Sequence, residues 1–216
     1  MTPLERCKRA MSALKIFPLP SVVLFPHGLM PLHVFEPRYR NMMRDALVED
    51  SVIALANLKA GWERDYAGRP PLKPICTAGL IVWSEMMKDG RFNIVVQGVT
   101  RARLIEELPP TKLYREASAE LVNDGEADEP AEEQLRHAVL ELATRMQPAL
   151  AEPLLAVATR FSGGALADAV ASALVKDTTR RELLLNQLNI PQRTNAVLQE
   201  VGNLLLHATP KVGLMN

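Results

Sequence analysis

Five prolines, Pro18, Pro20, Pro26, Pro31 and Pro37, fall within 21 predominantly apolar residues near the start of the chain. Proline fixes φ near −65° and has no N–H to donate, so this stretch is neither helix nor central strand. It predicts an extended path with edge-strand kinks, with Phe17, Phe25 and Phe35 supplying core mass. The pattern then changes. From Glu36 to Leu47, Tyr39, Met42, Met43, Ala46 and Leu47 share one face of a predicted helix, and Glu36 and Arg38 are placed to fix the turn into it by pairing or capping.

Short β-branched or aromatic runs bounded by turn residues read as strands: Val22 to Phe25, Val52 to Leu55, Leu80 to Trp83 and Phe92 to Val96, with Leu113 to Val122 as a last one. Asp89-Gly90 between the third and fourth marks a hairpin, because this pair supplies the positive φ angles of a tight turn. Beyond residue 130 the period becomes helical. Leu135, Ala138, Val139, Leu142, Ala143 and Met146 form one stripe, and Leu166, Ala169, Val170, Ala173 and Leu174 form a second. A third helix is expected from Thr179, capped by that residue with Glu182 reaching back, and a fourth from Pro191 with Val197, Leu198, Val201, Leu204 and Leu205 facing inward. Four short amphipathic helices imply a bundle.

The formal charge is zero, 25 Lys and Arg against 25 Asp and Glu, but it is a cancellation. Residues 1–123 hold 17 basic and 13 acidic side chains, a net of +4, and the remainder carries −4. Nine of the ten aromatics lie at or before Tyr114. The changeover falls at Asn123-Asp124-Gly125, followed by an acidic run to Pro130, which reads as a linker between a β-rich domain 1–123 and a helical domain 124–216.

The motifs of several chemistries are missing. There is no phosphate-cradling G-x-x-x-x-G-K-[ST], no G-x-G-x-x-G, no H-E-x-x-H and no G-x-S-x-G. His27 and His33 lack the acid and thiol neighbours of a metal site, and Cys7 and Cys76 are 69 positions apart without a CxxC pair. Ser172 and Lys176 are four apart on a predicted helix, but mid-helix amides are already bonded and offer no oxyanion donors. No signal-peptide run and no stretch of about 20 apolar residues occurs, so a cytoplasmic protein with reduced thiols, no cofactor, no metal and no membrane contact is expected.

Phe17-Pro18-Leu19-Pro20, Val23-Leu24-Phe25-Pro26, Pro31-Leu32-His33-Val34-Phe35-Glu36 and Arg38-Tyr39 together closely resemble the opening of the Lon protease N-terminal domain family. Asp89-Gly90-Arg91, the following strand and Gly98-Val99-Thr100-Arg101-Ala102-Arg103 resemble a second motif of that family, and Cys76-Thr77 stands where the family usually has Gly-Thr. Leu166-Ala167-Asp168, Glu182-Leu183-Leu184 and Gln192-Arg193 resemble its helical portion. The resemblance implies an α+β fold, a PUA-like β pseudo-barrel with one inserted helix followed by a C-terminal helical bundle. It also implies a role in selecting and holding protein substrates, and the first ten residues precede its opening motif, which leaves Met11 as an alternative start. With no ATPase or protease motif in the chain, a stand-alone Lon N-domain-like protein is expected, catalytic residues none, with a protease or chaperone as working partner.

Two surfaces follow as candidates. Trp83, Met86 and Met87, apolar beside a hairpin turn, are placed to take unfolded or partner protein segments by strand addition. The alternative is RNA on Arg91, Arg101 and Arg103, of which Arg101 and Arg103 share a strand face, although aromatic partners for stacked bases are scarce and a nucleic-acid partner is the weaker expectation. A small-molecule enzyme is the third reading, without an acid, base and nucleophile that converge.

Overall fold

The computed structural model describes residues 1–66, 68–123, 125 and 127–208. These fall into two compact units, Met1–Asn123 and Asp124–Asn216. Of the segment read as a linker, Asp124 and Glu126 lie outside the described residues.

The first unit opens with helix α1 (Pro3–Ala10), started by a capping box in which Thr2 and Glu5 exchange side-chain-to-backbone bonds. Strands β1 (Leu14–Leu19) and β2 (Leu29–Val34) follow, then α2 (Pro37–Val48), β3 (Val52–Asn57), β4 (Ile75–Met86), β5 (Phe92–Glu107) and β6 (Arg115–Leu121). They form one mixed sheet in the order β2-β5-β4-β3-β1-β6, and β6 also pairs with β5. That second pairing closes five of the strands into a barrel. The 16-residue β5 makes this possible: its first half pairs β2 and its second half pairs β6, with β4 along its other side.

All six residues of β3 are buried, because both faces of the sheet are covered there. Ile53 and Leu55 join Phe17, Tyr39, Met42 and Met43 in the cluster under α2. Val52, Ala54 and Ala56 join Cys7, Met11, Leu14 and Ile16 on the α1 side. An uninterrupted apolar run is what a strand with two covered faces requires.

The Pro-rich stretch resolves differently from its reading. Val22 to Phe25 is not a strand: Ser21 and His27 carry positive φ (58° and 66°), and these break the extended path on either side. The loop is fastened by side chain and backbone instead, Thr77 Oγ1 donating to the Leu24 carbonyl at 2.6 Å and His27 N to the Gly98 carbonyl at 2.8 Å. The strands lie outside that loop, and Pro31 sits on β2, which bonds only β5 among the described residues. Phe17 and Phe25 are buried as expected, whereas Phe35 is 59% exposed. It follows Val34, the inward residue that ends β2, and so takes the outward side.

The second unit holds five helices among the described residues: α3 (Glu129–Thr144), α4 (Pro148–Arg160), α5 (Gly163–Leu174), α6 (Thr178–Asn186) and α7 (Ile190–Ala208). One more than expected, α4 was hidden by Pro148 and Pro153, the first at a helix start where its missing N–H is harmless. Asp177, not Thr179, caps α6, its carboxylate accepting from Arg180 N at 2.8 Å. The core contains an ion pair that the stripe pattern did not show. Arg193 and Asp168 are both buried, 3.2 Å apart, and Arg193 Nη1 donates to the Gln187 carbonyl at 2.7 Å. These are the Asp and Arg of the helical segments that resembled the family.

Candidate peptide-binding face

Beyond the barrel, β2, the first half of β5 and the last half of β4 continue as a three-stranded arm. Residues paired across strands share a face, so the register sorts its side chains. Val34, Phe92 and Met86 are aligned, as are Leu32, Ile94 and Ser84, and this side carries the cluster under α2. Leu29 with Gln97, Pro31 with Val95 and Trp83, and His33 with Asn93 and Glu85 line the opposite side. That side is open: Leu29 is 64% exposed, Trp83 50%, and Pro31, His33 and Glu85 are exposed as well.

The three residues expected at this site therefore separate. Trp83 stands on the open face in the apolar row with Val95 and Pro31. Met86, three positions on, faces the α2 side at the tip, and the backbone of Met87 closes the hairpin, its N–H donating to the Arg91 carbonyl at 2.8 Å. An odd spacing along a strand puts two side chains on opposite faces. Leu29, Pro31 and Val95 join the face although they were not expected there. Their signal was the alternation of Leu29, Pro31 and His33, masked because the inward Met30, Leu32 and Val34 are apolar too.

The arm is held by the motif residues. Gly90 takes φ 80° while Asp89 does not have positive φ, so only one of the two turn residues is left-handed. Asp89 accepts from Arg91 N at 3.1 Å and Arg91 Nε at 2.7 Å, which draws the Asp89 carboxyl below its ordinary range. Arg40 of α2 donates to the Asp89 carbonyl at 3.0 Å and packs against Gly90 so closely that a Cβ there would meet its guanidinium at 2.3 Å. At the entrance to α2, Glu36 accepts from Arg38 at 2.9 Å and from the Tyr66 hydroxyl at 2.8 Å. This is pairing, since the Glu36 side chain makes no cap bond. Tyr39 is buried against Phe17, ring centres 4.6 Å apart, and burial pushes its phenol up to about 12.

The arginines of the RNA reading do not form a surface. Arg101 is 2% exposed, Arg103 is matched by Glu120 at 3.3 Å, and Arg91 is taken by Asp89. A face that neutralises phosphates needs accessible, unanswered cations. The groove beside Tyr114, about 280 Å³, is likewise balanced: Arg115 and Arg69 meet Glu107, and Lys112 meets Asp45 and Glu116. The Tyr114 hydroxyl donates to Asp45 at 2.5 Å. With the Lys112 ammonium nearby, this outweighs desolvation and holds the Asp45 carboxyl below its ordinary value.

Ser172 lies within α5, but Lys176 lies beyond its end, so the pair does not share a helix. Cys7 and Cys76 are buried and free, and desolvation pushes their thiols up to about 11 and about 12. Among the described residues no group of three His, Cys, Asp or Glu side chains is placed to hold a metal, and no helix is long and apolar enough to cross a membrane.

The comparisons with known proteins agree on one family. The family model of the ATP-dependent protease La (LON) substrate-binding domain matches residues 13–202. The Lon protease of Desulfosudis oleivorans is 25% identical over 193 residues, covering 88% of this chain and 24% of its own length. Lon protease 2 of Myxococcus xanthus is 29% identical over 194 residues, covering 86% and 23%. The chain thus spans about a quarter of the length of the curated relatives it matches. Among solved structures, the N-terminal domain of Mycobacterium avium complex Lon protease superimposes with a TM-score of 0.67 at 16% identity, covering 88% of this chain and 98% of that one. The Lon N-terminal domain protein from Xanthomonas campestris gives 0.61 at 20%, covering 87% and 97%. With an α+β barrel, a helical unit and 190 matched residues in hand, the chain belongs to the Lon substrate-binding domain family.

Proposed function

We propose that this chain is a non-enzymatic binding module that holds extended segments of unfolded or partner proteins on the open face and free edge of its β2-β5-β4 arm. The observation that carries the reading is the apolar row of exposed Pro31 and Trp83 with half-buried Val95 between them and exposed Leu29 beside it, next to a strand that among the described residues bonds a neighbour on one side only. A free edge offers backbone donors and acceptors to an added strand, and alternate side chains of that strand meet the apolar row. Pro31 withholds one donor and so limits indiscriminate pairing. Membership of a substrate-binding family supports the reading, and a protease or chaperone is the partner that would act on what is held. A cytoplasmic setting fits two buried, unpaired thiols.

The test is retention of a reduced, alkylated and therefore permanently unfolded model protein by the immobilised chain. Trp83→Ser is expected to weaken retention about tenfold with the melting temperature unchanged, since the ring is half exposed. Met86→Ser is expected to change it little. Equal retention by wild type and Trp83→Ser would remove this face from consideration.

A further inference from the structure

The helical unit has a site of its own. The C-terminal part of α3, the first half of α4, the end of α5 and the end of α7 enclose a groove of about 600 Å³ lined by Leu142, Met146, Leu150, Leu154, Leu174 and Leu204. Leu150 and Leu154 are an i, i+4 pair and form a ridge on α4, and Leu142 near the end of α3 with Met146 just beyond that helix lines the other side of the cleft. Leu204 and Ala173, both on stripes that read as core, are exposed here, and Leu150 is 60% exposed. Apolar surface that amphipathic spacing marks for burial is thus left uncovered by the described residues. Among the described residues, the titratable side chains lining the groove are Lys176 and His207. Pro153, also in the lining, lacks the N–H that the Ala149 carbonyl would accept within α4.

We propose that this groove docks one amphipathic helix of a partner protein, with its apolar row along the α4 ridge and an acidic side chain against Lys176. A row of i, i+4 side chains packs into the groove beside such a ridge, which is the geometry of helix packing. An apolar helix face read at i, i+4 and i+7 is the matching ligand. The cationic rim selects the sign of its flank and Met146 tolerates variation in its apolar residues. The site is independent of the peptide face on the first unit.

The test uses the full chain and two fluorescein-labelled peptides of about 15 residues, long enough to form a helix in contact. Both carry Leu at i, i+4 and i+7; one has Glu flanking that row and the other Lys. Fluorescence anisotropy is expected to show saturable binding of the Glu peptide and at least about tenfold weaker binding of the Lys peptide. Lys176→Glu should reverse this preference. Leu150→Glu should weaken the Glu peptide by about tenfold or more, with an unchanged circular dichroism melt because the position is exposed. Equal binding of the two peptides, no saturable binding of either, or indifference to Leu150→Glu would each overturn the proposal. So would two other occupants. Binding that tightens about tenfold in a Val212→Ser, Leu214→Ser double variant would identify the chain's own last residues in the groove. Concentration-dependent dimerisation abolished by Leu150→Glu would identify a second copy.

Discussion

Gly98 lies so close to the loop after β1 that a Cβ on it would stand 2.2 Å from the Phe25 carbonyl oxygen. Gly98→Ala must therefore push the loop off β5, and we expect it to destabilise the first unit by about 3 kcal/mol in chemical denaturation. Asp45 gives a pH signature at the same scale. Its folded carboxyl is held below the ordinary 3.8 by the Tyr114 hydrogen bond, so the stability this provides is present above that value and is lost as pH falls through the lowered one. Tyr114→Phe should flatten that acid limb of stability against pH, with little change in the limb's slope near neutrality. The thiols predict silence: Cys7 and Cys76, raised by burial, should resist iodoacetamide at pH 8 in the folded chain and react once it is unfolded. None of these properties was written in the local sequence. Gly98, Asp45 and Cys76 are defined by neighbours dozens of residues away.

At the scale of elements, legibility followed the strength of the repeat. α3 and α5 were plain because their apolar residues recur at helical spacing with little else competing, and the β4-β5 hairpin was plain from Asp89-Gly90. α4 was lost because two prolines broke its pattern, although Pro148 only begins the helix and the fold tolerates Pro153. β1 and β2 were displaced because Val22 to Phe25 looks most like a strand locally, yet Ser21 and His27 turn the chain at both ends of it. The candidate face suffered from the same locality. Trp83 was visible as an odd aromatic near a turn, but Leu29, Pro31 and Val95 became its neighbours only through register. Two experiments probe element joints. Arg40→Ala should leave the fold intact and raise hydrogen exchange at the Met87 and Gly90 amides, because the clasp from α2 to the turn is gone. Asp168→Ala should cost about 3–5 kcal/mol by stranding the buried Arg193, whereas replacing both partners, Asp168→Leu with Arg193→Met, should recover much of that loss in thermal melts.

For the molecule as a whole, both hydrophobic clusters of the first unit draw, among the described residues, on none later than Leu121. We therefore expect residues 1–123 produced alone to fold, with a cooperative melt and a β-rich circular dichroism spectrum. A non-cooperative melt would show that the unit needs the rest of the chain. Its architecture also fixes an order of events during synthesis. β1 is made first, but its partners are β3, in parallel, and β6, where Leu14 meets Ala117. Of the strands in this sheet, the earliest to leave the ribosome is the one whose second edge is covered last. Until more than 100 further residues have emerged, that edge of the nascent chain stays open, and the barrel shuts only when β6 arrives.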